Sequence, residues 1–153
     1  MTKAIKATDA PKREGSRYPK PYDEICQNRT KYLLSDVFGL TQYGVNLVVI
    51  EPGAWSSQRH SHEKEDEFIY VLEGTLTLCD DNGEHVLTPG MCAGFKAGTG
   101  NGHCLKNVTG KVATYLEVGS RIPNEKVVYN DIDMKTENSS GKHVYSRKDG
   151  TLY

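Results

Sequence analysis

Between Tyr43 and Val118 the chain is a succession of short apolar runs rich in β-branched residues, and no helical pattern separates them. The runs are YGVNLVVI, EFIYVL, TLTLC, EHVL, HCLKN and VATYLEV. The breaks include Glu73-Gly74, Asp80-Asp81-Asn82-Gly83 and Pro89-Gly90. Glycine and asparagine accept positive φ cheaply and proline removes a ladder donor, so these breaks read as turns between antiparallel strands. Parallel strands need crossovers of roughly a dozen residues or more, usually helical, and none is present. In TLTLC, Thr75, Thr77 and Cys79 share one face and Leu76 and Leu78 the other, and one of these faces is expected to be buried. The prediction is an all-β sandwich or jelly roll that can hold a ligand between its sheets.

A chain of 153 residues suits one domain with one active centre. Residues 1–30 are rich in Lys, Arg and Pro without periodicity, and read as an arm that is disordered or laid across a partner. The barrel is expected over 31–125. Residues 126–153 are expected as a peripheral extension packing on the barrel, with KTENSSGK, at 135–142, as a loop. Nineteen basic residues against 20 acidic ones, with no basic block, argue against nucleic acid or a membrane as partner. No signal-peptide pattern or membrane-length apolar run is present, so a cytoplasmic protein is expected. Cys26, Cys79, Cys92 and Cys104 form no CxxC pair and are expected as thiols packed like small hydrophobes.

The chemistry concentrates in His60-Ser61-His62-Glu63-Lys64-Glu65-Asp66-Glu67, just before a strand. Residues i and i+2 of an extended chain face the same side, so His60 and His62 can chelate one ion together. A helical zinc site would need H-E-x-x-H, which is absent. Parity alone does not choose a carboxylate among Glu63, Glu65, Asp66 and Glu67. Glu67 is preferred because it opens an apolar run, and a carboxylate entering a core needs a cation. The others are expected on a solvated turn. His103 follows the loop Gly98-Thr99-Gly100-Asn101-Gly102, which can bend the chain back to supply a fourth ligand. His85 and His143 read as surface histidines.

These residues resemble the cupin superfamily. Its first motif is traced in Gly53, His60, His62, Glu67 and Gly74, and its second in Gly90, Gly98, His103 and Asn107. Lys96 stands where the second motif usually has proline, and the stretch Thr99–Gly102 is longer than the usual gap before the histidine. PGAWSSQRHSHEKEDEFIYVLEG, CAGFKAGTGNGHCLKN, YLEVGSR and RKDGTLY are similar to a bacterial subgroup of small single-domain cupins. The resemblance implies a double-stranded β-helix barrel, a metal held by His60, His62, Glu67 and His103, and a homodimer with exchanged terminal strands that would occupy the arm.

Three imidazoles and a carboxylate suit Fe, Mn, Ni, Co or Zn as one divalent ion per chain, and do not select among them. Four protein ligands on a six-coordinate metal leave positions for a small molecule or dioxygen. The first reading is a metal-dependent enzyme of oxygenase, isomerase or lyase type acting on a small oxygenated molecule. A non-catalytic cupin that binds or senses a carboxylate or sugar through the metal is the second, and a structural module the third. Tyr115, Glu117, Lys106 and Arg121 are candidate proton-transfer residues whose facing the sequence leaves open, and Tyr115 and Glu117 are expected as a packed edge residue and a solvated one. Asn107 is a support for a ligand histidine or a plain turn residue. Trp55 and Phe68 are expected in the core.

Overall fold

The computed structural model describes residues 4–139 and 142–153. Met1–Lys3 of the expected arm, and Ser140 and Gly141 of the expected loop, lie outside the described residues. Among the described residues there are thirteen strands: β1 Lys12–Glu14, β2 Arg29–Leu33, β3 Tyr43–Ile50, β4 His60–His62, β5 Glu67–Glu73, β6 Leu76–Asp80, β7 Gly83–Leu87, β8 Cys92–Phe95, β9 Cys104–Lys106, β10 Ala113–Ser120, β11 Lys126–Tyr129, β12 Met134–Ser139 and β13 Lys142–Ser146. A single α-helical turn, α1, spans Leu34–Val37.

All strand pairs are antiparallel. One sheet has the order β1-β2-β3-β10-β5-β8, a second β13-β12-β11-β4 and a third β7-β6-β9. An isolated bridge between His60 and His103 links the last two, so the strands make a jelly-roll barrel with two facing layers. Val48, Ile50, Ile69, Val71, Leu76, Leu78, Leu105 and Tyr115 fill the space between them.

β5 shows how the pleat sorts residues. Ile69 and Val71 are 4 % and 0 % exposed, while Phe68, Tyr70 and Leu72 between them are 42 %, 39 % and 44 % exposed on the outer face. Phe68 is therefore not core, because its parity is opposite to that of Glu67 and Ile69. Trp55 is not core either; it is half-buried at the edge, with the Lys106 ammonium 4.4 Å above its ring. In β6 both faces are buried rather than one, since Thr77 and Cys79 are 7 % exposed alongside the two leucines. The four cysteines are free thiols, and all but Cys92 are buried.

The ends of the chain are built into the layers. β1 pairs with β2, and Tyr18 and Tyr22 pack against the cluster of Val127, Tyr129 and Met134. The segment expected as a loop contains β12, and β11 pairs directly with the strand that carries His60 and His62. Alternation there is masked by chemistry, because the inward residues of β12 are Met134 and a buried threonine, Thr136.

Gly74, between β5 and β6, has φ +75°, and a Cβ there would sit 2.5 Å from Val112 O and 2.7 Å from Ala113 Cα. Left-handed strain and overlap with backbone that cannot yield add up for any larger residue. Gly74→Ala is expected to lower stability by about 3 kcal/mol, read from the denaturant midpoint at unchanged m-value. A loss below ~1 kcal/mol would mean the turn relaxes.

Candidate metal centre

The bridge that joins the two smaller sheets also assembles the site. His60 N–H donates to His103 O at 3.1 Å, and His103 N–H donates to His60 O at 2.8 Å. Directly opposed residues of such a pair project to the same face, and the two imidazole centroids lie 4.8 Å apart. His62 follows two residues along β4, with its ring centroid 5.0 Å from that of His60. Glu67 enters from the facing layer at the start of β5, with the inward parity of Ile69.

The three rings converge on one oxygen. The Nε2 atoms of His103, His62 and His60 are 2.8, 3.4 and 3.8 Å from Glu67 Oε2. Atoms of His60, His62 and Glu67 fall within 4.8 Å of one another, a spacing at which they could hold an ion. His60 Nδ1 lies 2.9 Å from Gln58 O, so it carries the proton and leaves the Nε2 lone pair facing the cluster. His62 Nδ1 lies 3.3 Å from Glu125 Oε1, which fixes the same tautomer when the ring is neutral. Glu125 is 3 % exposed and is itself held by the backbone N–H groups of Glu63 and Lys64 at 2.9 and 3.0 Å. The ring of His103 is stacked on Phe95, with centroids 3.6 Å apart and planes at 2°.

His62 Nε2 is buried without a hydrogen-bond partner. A buried donor or acceptor with no partner is costly, and a cation at the convergence point would engage it. The residues present therefore fit a divalent metal ion, by donor type as well as by geometry.

Without a metal, the cluster polarises itself. Burial pushes His60 down to about 3, with the neighbouring His103 and His62 adding to the effect. Burial acts in the same direction on His62, but the carboxylates of Glu67, Glu125 and Glu65 outweigh it and raise this ring to about 9. Burial would raise Glu67, yet the hydrogen bond from His103 and the positive charge of His62 hold it well below the usual carboxylate range. His62 contributes stability that is complete below its ordinary value of 6.5 and is lost as pH rises through 9. His60 contributes stability present above 6.5 and lost as pH falls toward 3. The metal-free protein is expected to show its highest thermal midpoint near 6.5, declining on both sides. A midpoint that climbs steadily from there to pH 9 would contradict this assignment of charges.

The cluster lines a cavity of about 200 Å³, together with Lys31, Tyr115 and Glu117. Lys31 Nζ donates to both Glu117 oxygens at 2.7 and 2.9 Å, Asn46 Nδ2 donates at 3.0 Å, and the Tyr115 hydroxyl at 3.3 Å. Glu117 is not solvated, then, and Tyr115, 1 % exposed, is no edge residue. Burial would raise the Glu117 carboxyl, but Lys31 beside it brings it below the ordinary value. Burial, and then the Glu117 charge, hold the Tyr115 phenol well above its own.

Other candidates fall elsewhere. Lys106 points away from the cavity, onto Trp55 and Glu84. Arg121 is tied to Asp36 and Leu40 O. Asn107 is 0 % exposed and donates to Ile50 O and Lys111 O while accepting from Thr109, so it is a turn residue rather than a support for a ligand. Glu65, expected on a solvated turn, is half-buried with Oε2 3.8 Å from His62 Nδ1. His85 is at the surface, whereas His143 stands at the cavity mouth. Glu125, Lys31, Arg29, Arg13 and Arg17 were not anticipated. The only signal for Lys31 was its place two residues after Arg29, which gives them a common face in an extended chain.

A family model described as a cupin domain matches residues 46–119, a span that includes His60, His62, Glu67 and His103 and leaves out the arm and β11–β13. Among solved structures, a sugar phosphate isomerase of the cupin superfamily from Silicibacter pomeroyi is 44 % identical, covering 99 % of this chain and 96 % of its own, with a TM-score of 0.94. A protein from Acidithiobacillus ferrooxidans provisionally assigned the same activity is 28 % identical over 82 % of this chain and 80 % of its own, at a TM-score of 0.74. A polyketide cyclase from Streptomyces resistomycificus, 24 % identical over 78 % of this chain and 80 % of its own at a TM-score of 0.65, shares the fold. No curated protein sequence matches the chain. No described helix is long and apolar enough to cross a membrane. With the family match spanning the histidine cluster and a 44 % identical superfamily member matched end to end, the chain belongs to the cupin superfamily.

Proposed function

We propose that the protein is a metal-dependent isomerase acting on a small sugar or sugar derivative, with one divalent ion held by His60, His62, Glu67 and His103. The observation that carries this reading is the Lys31–Glu117 pair, which lines the same cavity as the four ligand residues. A bound divalent ion supplies Lewis-acid polarisation of a substrate oxygen. Interconverting an aldose and a ketose moves one hydrogen from the hydroxyl-bearing carbon to the former carbonyl carbon and one proton between their oxygens. There is no net oxidation, and no co-reactant is consumed. Glu117, kept ionised by Lys31, takes the proton from carbon and returns it to the neighbouring carbon. Lys31 stabilises the carboxylate before the first transfer and after the second, and Tyr115 donates a hydrogen bond that fixes its orientation. The isomerase names attached to the solved relatives point the same way. The homodimer belongs to this proposal too, with the apolar outer face of Phe68, Tyr70 and Leu72 as a surface suited to pairing.

The test is elemental analysis of protein purified without chelator or nickel resin, followed by proton NMR of candidate aldoses and ketoses in D₂O. Stoichiometric metal, with deuterium entering the carbon beside the carbonyl, supports the reading. No metal after reconstitution with each candidate ion would sink it. Metal without deuterium exchange on any compound would leave the binding or sensing role.

A further inference from the structure

The cavity has a second charged region, contributed by the N-terminal arm. In the β1–β2 ladder Arg13 is opposite Lys31, which puts both side chains on the inner face. Lys12 and Glu14 take the outer face and pair with each other at 2.6 Å. Arg13, Arg17, Arg29 and Lys31 all line the cavity that holds the histidine cluster. Like charges set directly opposite one another are destabilising unless something neutralises them.

Among the described residues, only one of these four cations has a carboxylate partner. Lys31 is paired with Glu117. Arg29, 6 % exposed, donates to the carbonyls of Ser56 and Gly15, while its Nε is buried with no partner. Arg13 and Arg17 make neither an ion pair nor a side-chain hydrogen bond among the described residues. Asp36, whose field reaches Arg13, is engaged by Arg121 at 2.6 Å. The two carboxylates lining the cavity, Glu67 and Glu117, are occupied by the histidines and Lys31. Burial lowers Arg13, and the positive fields of Arg17 and Arg29 lower it further. The arm side of the cavity therefore carries uncompensated positive charge facing a space of small-molecule size.

We infer that Arg13 and Arg17, backed by Arg29, form the subsite for a phosphoryl group on the substrate, whose other end reaches the His60–His62–Glu67–His103 cluster. Planar guanidinium groups with free donors match the oxygens of a phosphomonoester, and two of them balance its double charge. This subsite rests on the isomerase reading for the identity of the substrate's other end. Both arginines lie outside residues 46–119, so phosphoryl recognition is something the arm adds to the cupin domain.

Titration of inorganic phosphate into the metal-loaded full-length protein, followed by calorimetry, tests the subsite without requiring turnover. Phosphate should bind the wild type and bind the double variant Arg13→Gln/Arg17→Gln about 10- to 100-fold more weakly, with metal content unchanged and a thermal midpoint no lower than that of the wild type. If the double variant is misfolded, Arg17→Gln alone, at an exposed position, should still weaken binding several-fold. The His60→Ala protein should keep phosphate affinity within a few-fold of wild type. Equal affinity in wild type and the arginine variants, loss of binding with His60→Ala, or no binding at millimolar phosphate would overturn the subsite. Acetate binding as tightly as phosphate, with the same arginine dependence, would overturn the phosphoryl assignment. None of these results depends on isomerisation, and failure of the isomerase assay leaves them intact.

Discussion

His60→Ala and His62→Ala are both expected to lose the bound metal, taking the protein from about one ion per chain to background and lowering turnover by at least ~10³-fold. Each removes one of four donors, and loss of a mere supporting group already costs about 10- to 100-fold in metal affinity. Elemental analysis after gel filtration reads the outcome. The two variants should differ in a second property. In the metal-free protein His60 is neutral at pH 7, because burial pushes it down to about 3, whereas His62, at about 9, is the cation facing Glu67. Removing His60 leaves a cavity and intact charge pairing. Removing His62 takes the cation away from a buried carboxylate, which costs more. The metal-free His62→Ala protein should therefore melt well below the metal-free His60→Ala protein. Retention of stoichiometric metal by both variants would reject the four-residue centre, and equal melting would reject the ion-pair description of its empty state.

Glu117→Gln should lower kcat for isomerisation by about 10²- to 10⁴-fold while leaving metal content and KM nearly unchanged. The substitution removes the proton acceptor and keeps the shape. A glutamine oxygen still accepts from Lys31 and Asn46, so the pocket wall stays in place. Its cost is a lysine ammonium, 19 % exposed, left without a countercharge. This is why thermal midpoints must accompany the kinetics. A kcat within threefold of wild type, with metal bound, would remove Glu117 from the reaction and leave Lys31–Glu117 as a structural pair.

Much of the barrel could be read along the chain because strand pleat and turn chemistry are local. The runs over 43–50, 67–72 and 112–118 became β3, β5 and β10, the centre of the large sheet. The i, i+2 spacing of His60 and His62 and the inward parity of Glu67 are local too, since both follow from the two-residue period of a strand. The glycine-rich loop before His103 marks it as a fourth ligand, the family resemblance agrees, and the structure puts its Nε2 2.8 Å from Glu67 Oε2.

What the sequence could not disclose depends on pairing between distant segments. Glu125 looks like any acidic residue of a polar tail until β11 docks on β4 and buries it behind His62. Lys31 and Glu117 are 86 positions apart and meet only because β2 and β10 flank β3 on either side. Arg13 belongs to a stretch whose composition reads as a solvated arm, and its inward direction comes from its register with Lys31. By itself, then, the sequence determined the central strands of the barrel, the turns between them and the parity of the histidines, because these depend on neighbours along the chain. The tertiary structure alone decided which charges share one cavity, because charges interact through space and only the strand order brings these together.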